Sequence, residues 1–327
     1  MKDDKVIITK TPLRVSLVGG GTDMPYFYKK YGGATISFAI NRYIYVTAKY
    51  HNNYQEKYRL NYSETENTNQ LNKIKNLRIK KVIKMLKITK PLYINTFADI
   101  PANSGLGSSS SFTVGLIKAL GKLKNKEFSK NKLAEMAFKI ESAITKNSLG
   151  KQDHYIAVYG GFKSIVYKKD KILVSSLNLE KKRIKFILDS LLLVWTGKNR
   201  LASDVLKDQK KNLPKNYDNL KLLNKITIKF KKEVKKNNLN IKKLAQIISK
   251  TWELKKKFSK FITNKNIDSI FEKLKKKGIF GGKLLGAGNG GFILVVTKAS
   301  KKKKIINNFK GYKYLNIEIE KNGSTIL

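Results

Sequence analysis

The apolar and polar residues of the N-terminal half alternate in short runs that predict strands separated by helices. β-Branched and aromatic residues predict strands over residues 11–18, 34–40, 42–50 and 92–98, and Asn41-Arg42 suits a tight connection between the second and third. Apolar residues at helical spacing predict helices over residues 72–87, 109–123 and 129–146, the last with Ser129 as a good N-cap. This half is therefore expected to mix sheet and helix.

The C-terminal half carries the same patterns in a different order. After Gly160-Gly161, strands are predicted from residue 162 to about 172 and over the long apolar stretch 183–195. Residues 200–274 have mostly helical spacing. Further strands are predicted over residues 279–285, 292–296 and 314–319, with a lysine-rich helix before the last of them. The sequence thus predicts an α+β protein of two packed halves, which we divide into residues 1–180 and 181–327.

The charge of the chain is unusual, with 69 Lys+Arg against 23 Asp+Glu and a formal net charge of +46. A field of that size attracts anions such as nucleic acids, acidic lipids and phosphorylated metabolites. The excess is nearly all lysine and is spread along the chain beside many Ile and Asn residues, as the codons of an AT-rich genome would produce. A nucleic-acid footprint should instead be a patch or a tail. Nucleic-acid binding is kept only as a distant alternative.

The rare residue types exclude several classes of site. There is no cysteine, so a disulfide framework and a cysteine-ligated metal site are both excluded. The two histidines, His51 and His154, remove most zinc arrangements. We find no signal-peptide pattern and no apolar stretch of about 18 residues, so we expect no membrane span and a cytoplasmic protein.

The strongest motif for chemistry is P-A-N-S-G-L-G-S-S-S-S at residues 101–111, between a predicted strand and a predicted helix. Glycines let backbone N–H groups turn inward, and the helix N-terminus adds a partial positive charge, so the segment suits a phosphate. No Gly-Lys-Ser/Thr follows, so this is not a Walker A loop. The alternative is an ordinary serine-capped helix after a glycine turn.

A second glycine motif is K-L-L-G-A-G-N-G-G-F-I-L-V-V at residues 283–296. Its glycines fit G-x-G-x-x-G, but a strand follows them where the dinucleotide fingerprint needs a helix, so we reject that interpretation. Such a loop can pack its backbone against another loop or a ligand. A tight hairpin is the alternative.

Four charged residues complete the candidate set. Asp23 follows the glycine turn 19–21 and can hydrogen-bond sugar hydroxyls, while Arg14 on the preceding strand can equally be a surface ion-pair partner. Glu141 falls on the apolar stripe of its helix, so it needs either magnesium or a buried Arg or Lys. Asp153 can accept a proton from a substrate hydroxyl or cap a turn, and we interpret His154 as structural.

Taken in order, these segments resemble the GHMP kinase family, over nearly the full chain. P-x-x-x-G-L-G-S-S-S is similar to the family's phosphate loop, and K-L-L-G-A-G-N-G-G-F to its C-terminal glycine motif, about 180 residues later. The resemblance implies a ribosomal-protein-S5-like N-terminal half and a ferredoxin-like C-terminal half. It also implies an ATP-dependent kinase that uses Mg²⁺ and a small sugar or sugar phosphate.

Within the family, R-V-S-L-V-G-G-G-T-D-M-P resembles the heptose 7-phosphate kinase and fucokinase branch, as do G-K-Q-D-H-Y-I-A-V-Y-G-G-F, T-G-K-N-R-L-A-S-D-V-L and S-K-T-W-E-L-K-K-K-F-S. His154 departs from the branch, where Gln is expected. Fucokinases often carry a further nucleotidyl-transfer domain, so a chain of 327 residues favours a heptose 7-phosphate kinase acting on the anomeric hydroxyl.

The resemblance also implies roles for single residues. Asp153 would take the acceptor proton, and Arg14 would hold Asp153 and neutralise charge at the transferring group, which should lower the pKa of Asp153. Ser108 or Ser109 and Glu141 would hold magnesium. The remaining residues are assigned to ATP phosphates (Gly105, Leu106, Gly107, Ser108, Ser109, Ser110) and to the acceptor (Gly20, Gly21, Thr22, Asp23, Gly288, Gly290).

Several alternatives stay open at this stage. The acceptor can be a free sugar such as fucose, and a catalytically inactive sensor would share the fold. For adenine only residues 61–69 are a candidate loop. The oligomeric state is open, a homodimer included.

Overall fold

The computed structural model describes residues 5–52, 56–197, 203–309 and 311–327. Two sheets with helices packed on them share one continuous apolar core, so the α+β prediction is confirmed. The strands are β1 (Ile7–Val18), β2 (Gly33–Tyr50), β3 (Tyr58–Asn61), β4 (Thr65–Thr68), β5 (Leu92–Ala98), β6 (Phe162–Tyr167), β7 (Ile172–Ser176), β8 (Leu191–Trp195), β9 (Gly281–Leu284), β10 (Phe292–Val296), β11 (Tyr314–Leu315) and β12 (Thr325–Ile326).

The helices contain much of the chain that lies outside the strands. They are α1 (Pro25–Tyr31), α2 (Leu77–Leu86), α3 (Ser108–Leu123), α4 (Lys130–Ile144), α5 (Gln152–Tyr159), α6 (Lys181–Asp189), α7 (Ser203–Lys211), α8 (Tyr217–Val234), α9 (Ile241–Lys256), α10 (Lys265–Lys276) and α11 (Ala299–Asn308).

The first sheet has the order β12-β1-β2-β5-β3-β4, and β6 and β7 extend it from β2. Strand β12 comes from the far end of the chain and pairs antiparallel with β1, with Ile326 opposite Thr9. The sheet of the N-terminal half therefore takes an edge strand from beyond the proposed boundary at residue 180.

The two strands predicted over residues 34–40 and 42–50 form a single long strand, β2, so the tight connection is wrong. The irregularity falls at the expected place, however. Pairing of β1 with β2 shifts from Pro12–Tyr43 to Leu13–Ile40, which leaves Asn41 and Arg42 in a bulge. The chain continues in the same direction because β5 and β6 pair with opposite ends of β2.

Two further boundaries differ from the prediction. The stretch 183–195 is helix α6 followed by the short strand β8, because Ile184, Ile187 and Leu188 have helical spacing and only 191–195 is continuously apolar. The helix predicted from residue 72 begins at Leu77 instead. Asn76 caps it by accepting hydrogen bonds from two backbone N–H groups, and a separate short turn covers Leu71–Lys73.

Helix α3 packs tightly against β1, and this contact places the site. A Cβ at Gly115 would lie 2.8 Å from Thr11 Oγ1, so only glycine allows this approach. Thr9 Oγ1 donates a hydrogen bond to the Gly115 carbonyl at 3.1 Å. The N-terminus of α3 is thereby held beside Arg14, which lies further along β1.

The second sheet has the order β11-β8-β10-β9 and is antiparallel throughout. Helices separate β8 from β9, a glycine-rich loop over residues 285–291 joins β9 to β10, and α11 leads to β11. This βαββαβ arrangement is the ferredoxin-like topology expected for the C-terminal half.

Candidate active site

Arg14 and Asp153 form a buried ion pair between β1 and the first turn of α5. Arg14 Nε lies 2.7 Å from Asp153 Oδ1, and Nη2 lies 2.6 Å from Oδ2, so the contact has two points. The side chain of Arg14 is 6% exposed and that of Asp153 is 22% exposed. The expected contact is present, and Asp153 keeps one open side where an acceptor hydroxyl can approach.

The surroundings of Asp153 favour its charged form. Burial by itself raises the pKa of this carboxyl, but the charge and hydrogen bonds of Arg14 outweigh burial and leave the pKa below its ordinary value. The expected lowering is therefore confirmed. Gln152, which the sequence did not single out, donates to Asp153 Oδ1 at 3.3 Å and accepts from Ser16 Oγ at 3.0 Å. It fixes the carboxylate from a second direction.

The phosphate loop, residues 105–110, lies directly against this pair. Gly107 has φ 79°, and a Cβ there would lie 3.2 Å from Arg14 Cγ and 3.4 Å from Asp153 Oδ2. The first N–H of α3 with a helical partner is that of Ser111, which donates to the Gly107 carbonyl. The N–H groups of Ser108, Ser109 and Ser110 precede it, so they are available to an anion at the helix N-terminus.

The side chains of the phosphate loop are used unequally. Leu106 is fully buried, so it can offer only its backbone. The Ser110 hydroxyl donates to Glu141 Oε2 at 2.7 Å and is turned away from the loop. Ser109 is partly exposed, and its side chain is the one best placed to face a ligand.

The second glycine loop, residues 286–291, packs its backbone on the phosphate loop. A Cβ at Gly286 would lie 2.6 Å from Gly105 Cα, and one at Gly291 would lie 2.4 Å from the Ser104 carbonyl oxygen. The Phe292 N–H donates to that same carbonyl at 3.0 Å. Loop-on-loop packing and the hairpin between β9 and β10 are therefore both present, and the C-terminal half supports the phosphate loop.

Glu141 of α4 lies in a second buried polar cluster, on the other side of the phosphate loop. Arg78 Nε lies 2.6 Å from Glu141 Oε1, and His154 Nε2 lies 2.9 Å from Oε2, where the Ser110 hydroxyl also binds. Burial opposes the charge on this carboxylate, but the hydrogen bond from His154 and the charge of Arg78 outweigh burial and lower its pKa to about 2. Of the two partners open for Glu141, the structure provides the arginine.

The donor set of Ser109 and Glu141 suits magnesium chemically, because hydroxyl and carboxylate oxygens are hard ligands. Glu141 is ionised, and three of its roughly four acceptor positions are filled by protein groups. An ion at this carboxylate would share it with Arg78. Among the described residues no cluster of three His, Cys, Asp or Glu side chains forms a metal site, so the remaining ligands would be phosphate oxygens and water.

The glycine turn 19–21 and Asp23 are held tightly by the fold. Asp23 Oδ1 accepts from the Gly21 N–H and Oδ2 from the Gln152 N–H, both at 2.9 Å, and burial raises the pKa of this carboxyl. The Thr22 hydroxyl donates to the Gly19 and Ala34 carbonyls and is fully buried, so it serves the turn and does not face a ligand. Of the four acceptor residues predicted here, Gly20 and Gly21 are partly exposed.

The other two residues predicted to contact the acceptor lie in the second glycine loop. Gly288 packs on the backbone of Ile262, where a Cβ would lie 2.8 Å from Ile262 Cα, and Gly290 is buried. In the branch-like stretch 196–206, residues 198–202 lie outside the described residues. Two lysines that sequence reasoning missed, Lys255 and Lys283, approach the Arg14–Asp153 pair from the C-terminal half.

A cleft of about 280 Å³ opens beside Arg78. Its lining includes two residues of the candidate adenine loop 61–69 and the start of α2: Tyr62, Glu64, Lys75, Asn76, Leu77, Arg78 and Ile144. A larger cavity of about 340 Å³ lies between α9, α10 and β9 and contains none of the predicted site residues. The smaller cleft is thus the one connected to the phosphate loop, through Arg78 and Glu141.

Comparisons with known proteins agree with this arrangement. Residues 75–161 match the family described as GHMP kinases N terminal domain, and residues 230–314 match GHMP kinases C terminal. The chain is 30% identical over 315 residues to the D-glycero-alpha-D-manno-heptose 7-phosphate kinase of Campylobacter jejuni, covering 92% of each. The chain belongs to the GHMP kinase family. As a GHMP kinase it is an ATP-dependent sugar kinase with the two-half fold expected of that family.

Other GHMP kinases are similar over different lengths. A galactokinase of Pyrococcus furiosus is 26% identical with 91% of each chain covered. The bifunctional fucokinase/GDP-fucose pyrophosphorylase of Arabidopsis thaliana is 30% identical over 65% of this chain but only 20% of its own. The solved structure of a D-glycero-D-manno-heptose 1-phosphate kinase from Bacteroides thetaiotaomicron has the same fold, with a TM-score of 0.80, 23% identity and 98% of each chain covered. Across the described ranges, no helix is long and apolar enough to cross a bilayer.

Proposed function

We propose that this GHMP kinase transfers the γ-phosphoryl group of ATP to the anomeric hydroxyl of D-glycero-D-manno-heptose 7-phosphate, as a step toward a nucleotide sugar. The observation that carries the reaction type is the contact of Gly107 with the Arg14–Asp153 pair. It brings an anion-binding helix N-terminus and a partly open carboxylate to the same point. The acceptor follows from the full-length similarity to the Campylobacter jejuni kinase.

The charges in the site suit an in-line phosphoryl transfer. The acceptor oxygen forms a bond to the γ-phosphorus as the bond from that phosphorus to the β–γ bridging oxygen breaks, and ADP leaves with the electron pair. The acceptor proton passes to Asp153. With its lowered pKa, Asp153 is a weak base, which suffices because this transition state is loose and the proton can leave late.

Arg14 connects both substrates in this mechanism. Its Nη1 donates to the Gly105 carbonyl at 2.5 Å, while Nε and Nη2 hold Asp153. A displacement of the phosphate loop would therefore also displace the carboxylate that orients the acceptor. Positioning and electrostatics are expected to supply most of the rate acceleration.

We assign the nucleotide base to the cleft lined by Tyr62 and Arg78, because Arg78 is joined to the phosphate loop through Glu141. Ser109 and Glu141 would hold magnesium, which would neutralise charge on the ATP phosphates when bound. His154 and Ser110 orient Glu141 through its Oε2 atom.

A free-sugar kinase of the fucose type is the second candidate. It is favoured by the similarity of 65% of the chain to a bifunctional fucokinase. The fold and the transfer chemistry would be the same, and only the acceptor would change.

The test is ADP release with ATP and magnesium across a panel of acceptors: D-glycero-D-manno-heptose 7-phosphate, sedoheptulose 7-phosphate, fucose, galactose and mevalonate. Turnover confined to the mannoheptose phosphate is the expected result. Turnover with fucose instead would replace the acceptor and keep the mechanism. ATP binding without turnover on any acceptor would contradict the proposal and favour an untested sugar or an inactive sensor.

A further inference from the structure

Two lysines of the C-terminal half lie close enough to the Arg14–Asp153 pair to feel the charge of Arg14. Lys255, in the last turn of α9, donates from its Nζ to the carbonyl of Gly286. Gly286 packs on Gly105, whose carbonyl accepts from Arg14 Nη1. The ammonium of Lys255 is therefore separated from the Arg14 guanidinium by only two touching glycine loops.

Lys283 of β9 approaches the same region from the second sheet. Its side chain is buried, and its Nζ lies 3.3 Å from the carbonyl oxygen of Leu17, next to the glycine turn 19–21. The two lysines thus flank the acceptor side of the site, where Asp23 and Asp153 lie. Lys255 is partly exposed and can touch a ligand, while Lys283 supports it from within the protein.

Arg14 and these two lysines outnumber the carboxylates around them, Asp23 and Asp153. Both oxygens of Asp153 are bound by Arg14, and both oxygens of Asp23 accept backbone N–H groups. Within the ranges that the structure describes, no carboxylate forms an ion pair with Lys255 or Lys283. Burial lowers the pKa of Lys255 to about 8 and holds the pKa of Lys283 well below its ordinary value, with the neighbouring cations adding to the effect. Such a cluster is stabilised by a bound anion.

We propose that Lys255, supported by Lys283, binds the phosphate group that the acceptor already carries. This inference rests on the proposed function, and it names the residue that would distinguish a sugar phosphate from a free sugar. The ATP phosphates have their own donors, the N–H groups of 108–110 at the opposite end of the phosphate loop. Lys255 lies at the Gly105 end of that loop, where Gly286 packs on Gly105. It is within the electrostatic reach of Asp153 and Asp23.

The test is the variant Lys255→Met, with Lys250→Met as the matched control, because Lys250 is an exposed lysine on the same helix. For Lys255→Met we expect the KM for D-glycero-D-manno-heptose 7-phosphate to rise about 30-fold, since a charge-assisted contact is lost. The KM for ATP, and kcat/KM for the same heptose without its phosphate, should change less than about twofold. Lys255→Arg should restore part of the affinity.

An equal loss on the phosphorylated and phosphate-free acceptors would overturn the proposal, because Lys255 would then act on the transferring group. An unchanged KM for the heptose phosphate would also overturn it.

A second measurement does not depend on turnover. Binding of inorganic phosphate is followed by calorimetry with ADP and magnesium present to occupy the nucleotide site. The wild type and Lys250→Met should bind phosphate, and Lys255→Met should bind it at least about 30-fold more weakly. Equal binding by all three would contradict the inference. A further outcome is a wild type that binds phosphate and yet phosphorylates no heptose. If Lys255→Met alone then loses phosphate binding, the anion site is supported and the proposed acceptor is wrong.

Discussion

Two arginine–carboxylate pairs flank the phosphate loop, and they are built differently. Arg14 comes from strand β1, meets Asp153 at two points and is 6% exposed. Arg78 comes from the first turn of α2, meets Glu141 through Nε and is 28% exposed. The first pair is fixed by the sheet, whereas the arginine of the second pair is more exposed to solvent. We infer that the first holds reacting groups in place and the second can exchange partners when phosphates and metal arrive.

The largest effect is expected from Asp153→Asn, which removes the carboxylate of the first pair. We expect ADP release to fall about 1000-fold, since the proton acceptor and its ordered pair with Arg14 are both lost. The change also leaves a buried guanidinium unpaired, so the melting temperature should fall. Circular dichroism at a temperature well below that transition checks that the fold persists. Unchanged turnover in a folded variant would remove Asp153 from the mechanism.

A second test compares Glu141→Gln with the wild type as the pH is lowered. The folded-state pKa of Glu141, about 2, lies below its ordinary value of 4.5, so its charge stabilises the fold above pH 4.5 and this stabilisation is lost as pH falls toward 2. Near neutral pH the variant should be the less stable protein. The difference in free energy of unfolding between the wild type and Glu141→Gln should be about 2 kcal/mol smaller at pH 3 than at pH 7.

Urea unfolding at the two pH values measures this gap. A gap of the same size at pH 7 and pH 3 would mean that Glu141 is not held charged by Arg78 and His154.

The smallest effect is expected from His154, the residue that departs from its branch of the family. His154→Gln keeps a donor for Glu141 Oε2 and removes Nδ1, which is buried without a hydrogen-bond partner among the described residues. The variant also loses the edge-on contact between the His154 ring and the Phe138 ring. The free energy of unfolding should change by less than about 1 kcal/mol.

His154→Ala is the matched comparison for that variant. It leaves Glu141 with one donor fewer, so it should cost about 1–3 kcal/mol by the same urea measurement. Equal stability of the Gln and Ala variants would show that the hydrogen bond to Glu141 contributes nothing.

Sequence patterns predicted helices and strands well, but they did not predict which distant side chains pair. Helix α3 and strand β10 lie within one residue of their predicted bounds, because each is an apolar segment that begins directly after a glycine-containing loop. The pairing of Arg14 with Asp153 spans 139 residues, and only the resemblance to a family implied it. Arg78 and Glu141 are 63 residues apart, and the pattern of α4 indicated a partner without naming it.

The lysines near the site were missed for a physical reason. In a chain with 69 Lys+Arg residues, one lysine at the end of a helix is indistinguishable from the solvated ones around it. Burial against the second glycine loop singles out Lys255, and that contact depends on the packing of the two halves. The stretch 249–259 carried a resemblance to the family branch, which was the available signal.

Strand β12 has a consequence for how the protein is made. A ribosome completes β1 to β7 early, but the edge of β1 near Thr9 has no neighbour until residues 325–326 follow the whole second sheet. That edge can meanwhile pair with other nascent chains, and closing it joins segments at the greatest sequence separation in the fold. We therefore expect the sheet that carries Arg14 to mature last, after the half that is translated later has folded.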